Sequence, residues 1–159
     1  MAVNDRPAIL LGQIDETREA LSMIAAAYER FLGRDLEDLG KREVTASRLC
    51  DILEHYYTCL ETLFLRISRF FENDLAKERW HQDLLDKMIL EIPGVRPRVV
   101  ARATHDRLLE LLRFRHFRRY YFELEYDWDK LDMLRKKLIE VMPMVKADLD
   151  DFTSFVQNL

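Results

Sequence analysis

With 159 residues the chain is long enough to bury one sizeable core and has the length of one ordinary domain, residues 1–159. Hydrophobic residues make up 48% and charged residues 34%, with only four Gly and four Pro, which excludes disordered and low-complexity composition. A formal net charge of −4 excludes a uniformly basic protein, and no apolar run approaches the roughly 18–20 residues of a membrane span.

Few turn residues and long alternations of Leu, Glu, Arg and Lys favour helices almost throughout, so the expected class is all-α, a compact up-down bundle of four to five helices. The first predicted helix runs from Pro7 to Leu32, capped by Asn4 or Asp5, with Ile9, Ile14, Leu21, Ile24 and Tyr28 along one side and Gly33 ending it. Thr45 is the expected N-cap of a second helix reaching Phe71, packed antiparallel on the first because the linker around Gly40 is short. Cys50 and Cys59 fall on that helix about 13 Å apart at 1.5 Å rise per residue, too far to bridge, and read as reduced core thiols rather than nucleophiles. A third helix is expected over Lys77 to Glu91, followed by a turn at Pro93, Gly94 and Pro97. The fourth starts near Thr104 and ends near Tyr121. The fifth runs from Asp129 to the C-terminus, with Pro143 restarting or kinking it. The N-terminus has no basic region followed by an apolar core and cleavage site, so a cytoplasmic location away from membranes is expected.

The net charge hides an asymmetry. Residues 96 to 119 hold eight arginines (96, 98, 102, 107, 113, 115, 118 and 119) against Asp106 and Glu110, so this segment is +6 and the remainder −10. Arginine suits a planar grip on phosphate or carboxylate. Arginines on a helix also commonly meet acidic neighbours, and placement decides between the two. On a wheel at 100° per residue, Arg115, Arg118 and Arg119 continue the face of Leu108, Leu111 and Leu112, whereas a solvated charge run would lie opposite the core stripe. The helix end is therefore expected to emerge from the core into a cleft or subunit interface. Basic groups interleaved with Phe114, Phe117, Tyr120 and Tyr121 also fit phosphate contact and base stacking.

Other motifs are missing: there is no Gly-rich phosphate loop, CxxC pair, GxSxG elbow or HExxH. His55, His81, His105 and His116 lie on three separate predicted helices and never at i, i+4 with a second ligand type, so neither a metal nor another cofactor is expected. Glu54 and Glu61 are expected to pair with Arg66 or Arg48. Any chemistry must then come from the Arg, His and Tyr cluster.

The segments "YYTCLETLFLRISRFFEN", "RWHQDLLDKM", "IPGVRP" and "LLELLRFRHFRRYYFELEYDWDKL" resemble, in that order and with similar gaps, the HepT-like proteins of the HEPN superfamily, from Tyr56 to Leu131. The resemblance implies a dimerising helical bundle and an RNA-cleaving toxin encoded beside a minimal nucleotidyltransferase antitoxin, which in some relatives adds AMP to a tyrosine of the active motif. That motif, R-x4-H-x-Y, places its arginine on Arg115, its histidine position on Tyr120 and its tyrosine position on Phe122. Two of the three signature groups are therefore changed. RNA cleavage without a metal needs proton acceptors and donors near neutral pH, a task suited to His and poorly met by Tyr120. His116, one turn away on the same side, is the candidate replacement, with Arg115 a catalytic clamp beside Tyr120, and Arg113, Arg118 and Arg119 as phosphate contacts. The competing reading of His116 is a structural histidine inside the bundle.

Residues five apart on a straight helix differ by about 140°, so an arginine and an acid/base group at that spacing face one phosphate readily if two copies share a cleft. A homodimer would supply that cleft and join two +6 segments. Trp80 reads as a packing anchor or, alternatively, a base-stacking platform. The chain is thus expected to be a toxin-type ribonuclease whose partners are RNA, tRNA among its candidates, and a nucleotidyltransferase antitoxin modifying Tyr120 or Tyr121. The alternative is an inert module that binds RNA or that partner. A run Arg98-x6-His105 fits looser superfamily spacing and reads as coincidence.

Overall fold

The computed structural model describes residues 5–72, 80–120 and 126–159, with Tyr120 described in its backbone alone. All regular elements among them are helical: α1 Asp5–Arg30, α2 Glu43–Phe71, α3 Trp80–Met88, α4 Arg102–Tyr120 and α5 Trp128–Gln157. The expected all-α bundle is what forms.

Cross-helix ties fix the directions. Arg48 reaches Asp35, Cys59 Sγ the carbonyl of Thr17 and Arg66 the carboxylate of Glu16, so positions rise along α2 as they fall along α1. These two helices form an antiparallel hairpin. A second hairpin joins α4 to α5, with Thr104 Oγ1 donating to Asp148 at 2.5 Å and Arg107 Nε to Glu140 at 3.0 Å. Arg18 links the hairpins through Asp150 at 2.6 Å and Thr153 at 3.1 Å. The enclosed core includes Tyr56, Leu60, Phe64, Leu108, Leu111, Leu138, Leu149 and Phe152.

Several boundaries differ from expectation for identifiable reasons. Gly33 does not end α1, which continues as a π-helical turn over Phe31–Leu36 and a last turn, Glu37–Leu39. The chain reverses at Gly40, whose φ of 68° is the left-handed conformation that favours glycine. Ile9 is 51% exposed and Leu10 takes the core position. α2 begins two residues before Thr45, whose hydroxyl accepts from Arg42 N–H at 2.9 Å and donates to Gly40 carbonyl at 2.7 Å, so it braces the turn from inside the helix. α5 starts on Asp127, whose side chain accepts from the N–H of Asp129 and Lys130. It runs unbroken through Pro143, correcting the expected restart. Pro143 is exposed, and the carbonyl its ring leaves unpaired belongs to Ile139, also exposed, where water can serve it.

One of the eight arginines turns out to be scaffolding. Arg96 is buried after the turn at Gly94, itself at φ 74°. Its guanidinium gives all five N–H groups away: two to Glu72, two to the carbonyls of Leu90 and Pro97, and one to that of Lys87.

Candidate active site

The site forms where the second half of α4 crosses α2 and the start of α3. Leu108, Leu111 and Leu112 are buried, and one turn on so is Arg115, at 8% exposure, as the continued stripe requires. Its Nη1 donates to Thr58 Oγ1 at 3.1 Å and its Nη2 to Glu61 Oε2 at 2.9 Å, while the guanidinium lies 4.9 Å from the Tyr57 ring centroid. A buried cation here is tolerable because a carboxylate and an aromatic face receive it. Burial, reinforced by the charge of Glu61, pushes the Tyr57 phenol far above its ordinary value, so Tyr57 is a neutral floor under Arg115.

Glu61 also meets His81, whose Nδ1 lies 2.9 Å from the same Oε2 and 3.1 Å from Arg115 Nη2. Trp80 stacks on the His81 ring with centroids 3.7 Å apart while packing against the core, so it serves as anchor and as cavity wall together. The expected pairing of Glu61 and Glu54 with Arg48 or Arg66 is thereby corrected. Those arginines are held by α1 and its extension, and the two glutamates face α4 instead.

Two hollows flank this crossing. A cavity of about 560 Å³ is walled by Trp80, His81, Arg113, Arg115, His116 and Arg119, among others. A second, of about 350 Å³, is lined by Glu54, His55, Thr58, Arg115, Arg118 and Arg119. Arg115 and Arg119 belong to both. His116 is exposed at the first cavity, so the reading of it as a histidine buried in the bundle is set aside.

The basic segment divides on inspection. Arg118 donates to Asp51 at 2.8 Å and Glu54 at 3.0 Å. Burial alone would lower its guanidinium, but the bond to Asp51, with Cys50 and Glu54 close by, holds it above the ordinary value. Arg113 meets Glu110 at 3.5 Å, and Arg107 meets Glu140. Arg98, Arg102 and Arg119 are exposed and pair with no carboxylate among the described residues. Of these, Arg119 alone lines the cavities.

His105 is committed elsewhere, buried with Nε2 2.7 Å from Asp86 and Nδ1 3.0 Å from Asp106, which ties α3 to α4 and removes it from any pairing with Arg98. Tyr121 and Phe122 lie outside the described residues, as does the side chain of Tyr120. Among the described residues no group of three or more His, Cys, Asp and Glu is arranged to hold a metal, and no helix is long and apolar enough to cross a membrane.

Sequence reasoning reached Arg115, His116 and Arg119 through the motif and the wheel, but it missed Glu61 and His81 as members of the site. Glu61 is 54 positions away from Arg115 and carries no local signal. His81 did leave one, inside the shared segment "RWHQDLL". A model of the family described as HepT-like protein matches residues 48–156, which spans α2 from Arg48 onward and everything to the end of α5 but its last residue. No curated protein and no solved structure gives a match.

Proposed function

The chain belongs to the HepT-like protein family, and on that premise we propose that it is an RNA-directed toxin-type module that cleaves phosphodiesters by acid/base chemistry at the cavities flanking Arg115. The observation that carries this reading is the meeting of two hollows at Arg115 and Arg119, with an exposed imidazole, His116, on the wall of the larger one. Arg115 meets Thr58 through Nη1 and Glu61 and His81 through Nη2, which leaves its Nε–H and a second Nη1 hydrogen for a phosphate oxygen where the hollows join. Arg119 adds an exposed cation without a carboxylate partner among the described residues. In the cleavage step the ribose 2′-oxygen attacks phosphorus as its proton passes to a base, the bond from phosphorus to the 5′-oxygen breaks, and that oxygen takes a proton from an acid. The products are a 2′,3′-cyclic phosphate and a 5′-hydroxyl. His116, exposed on the cavity wall, would exchange one of these protons.

The antitoxin we infer is a minimal nucleotidyltransferase, with Tyr120 or Tyr121 receiving AMP. Adding a nucleotide to either tyrosine, next in sequence to Arg119, would bring a bulky anion that competes with RNA phosphate for the basic segment. A two-fold dimer belongs to the same proposal and is checked by light scattering on the purified protein, where the monomer mass would remove it.

A second reading rests on Tyr120 at the histidine position: an inert module that binds RNA without cutting it. End-labelled total tRNA incubated with purified protein in chelator separates the two. Cleavage to cyclic-phosphate ends by wild type, lost in His116→Ala and Arg115→Ala, is expected. Intact RNA that nonetheless shifts in a gel would establish the binding module.

A further inference from the structure

Catalysis of the step above needs two proton-transfer groups, and the family position that would supply one is Tyr120. The cavity holds a second imidazole. His81 stands on the wall shared with His116, and its Nδ1 faces the buried Glu61 carboxylate at 2.9 Å. In an imidazole ring the two nitrogens point to nearly opposite sides, so with Nδ1 turned into the protein Nε2 is turned outward. The side chain is 35% exposed, and Nε2 has no partner among the described residues.

The tautomer follows from the three atoms that meet here. Glu61 Oε2, Arg115 Nη2 and His81 Nδ1 lie 2.9 to 3.1 Å from one another. Nδ1 can accept from Arg115 Nη2 at 3.1 Å or donate to Glu61 Oε2 at 2.9 Å, not both; in the accepting tautomer its lone pair would also confront the carboxylate oxygen, the stronger acceptor of the two. With a proton on Nδ1, the carboxylate receives two N–H donors at once, from His81 and Arg115, and the lone pair moves to Nε2 on the cavity side. Trp80, stacked at 3.7 Å, limits rotation of the ring.

We propose that His81, oriented by Glu61, is the base that accepts the 2′-hydroxyl proton at Nε2, while His116 in its protonated form delivers a proton to the departing 5′-oxygen. The assignment rests on the ribonuclease reading. The buried carboxylate of α2 then has two duties, anchoring Arg115 under the phosphate and fixing the proton on His81. The changed motif position is compensated from α3, an element outside the motif.

The test uses the full chain. Asn in place of His81 sets an amide N–H where Nδ1 stands, keeping the bond to Glu61 while removing Nε2. For His81→Asn we expect wild-type affinity for a 2′-O-methylated RNA that cannot be cleaved, an unchanged melting curve, and cleavage reduced roughly 10²- to 10⁴-fold. Free imidazole should partly restore cleavage to His81→Ala. Nitrogen-15 spectra of the wild-type ring should show neutral His81 protonated on Nδ1. Wild-type RNA cleavage matched by His81→Asn would overturn this assignment and leave the ribonuclease reading standing, as would an Nε2-protonated ring. Absence of cleavage by wild type would overturn both.

Discussion

Arg96 and Arg115 are both buried, both paired with a glutamate of or just past α2, and nineteen positions apart in one basic segment, yet they do different work. Arg96 has every N–H taken by Glu72 and three carbonyls, which nails the turn after α3 to the end of α2. Arg115 is held by Thr58 and Glu61, with His81 Nδ1 3.1 Å from Nη2 and the Tyr57 ring beside it, yet no bond from its Nε–H is seen among the described residues, and it borders two hollows. Burial and an acidic partner are therefore common to both. What distinguishes a site from a rivet is donor capacity left over at an open surface.

Removing each side chain should separate the two roles. Arg96→Ala leaves the half-buried Glu72 without its partner and takes a donor from the carbonyls of Leu90 and Pro97, while that of Lys87 keeps the Leu90 N–H, so a loss of about 3 kcal/mol is expected in urea unfolding. Comparable stability in that variant would erase the contrast. Arg115→Ala should lower RNA cleavage roughly 10²- to 10³-fold while remaining folded, since Glu61 keeps His81 as a donor. Arg119→Ala tests the exposed cation: RNA affinity should weaken across sequences, and the slope of log affinity against log salt should fall by about one.

Two smaller changes work on the scaffold alone. Asp127→Ala strips the cap of α5 and should cost about 1 kcal/mol in melting experiments without altering RNA affinity. The smallest effect concerns Asp132, whose hydrogen bond to Lys41 holds its carboxyl below the ordinary value. A depressed carboxylate stabilises the fold above its unfolded pKa and ceases to do so as pH falls through the folded one. Lys41→Met should therefore flatten the acid limb of stability slightly, by well under about 1 kcal/mol for so exposed a pair.

The helical frame was legible because apolar spacing at 3.6 residues survives in almost every segment, and the wheel of α4 correctly carried Arg115 onto the buried face. Boundaries failed where a residue type stood in for a conformation. Gly33 has the composition of a stop, but Gly40 has the positive φ. Pro143 looked like a break, yet the carbonyl it leaves unpaired belongs to Ile139, on the exposed side of the helix. The partners of the arginines were not legible, since Glu61, Glu54, Asp51 and Glu72 come from elements brought together only by the fold. A count of eight arginines therefore overstated the free positive surface, most of which is neutralised within the bundle.

Because Arg115 and Arg119 border both hollows, whatever fills one changes the charge available to the other. Occupants of the two are thermodynamically linked, and by the same factor in each direction. Two separate anions would compete for the shared guanidinium groups and weaken each other. If the proposed substrate is bound here, a single strand crossing from one hollow to the other would meet no such penalty where one phosphate reaches both walls, and the arrangement would discriminate by connectivity, favouring a polynucleotide over the same number of free nucleotides.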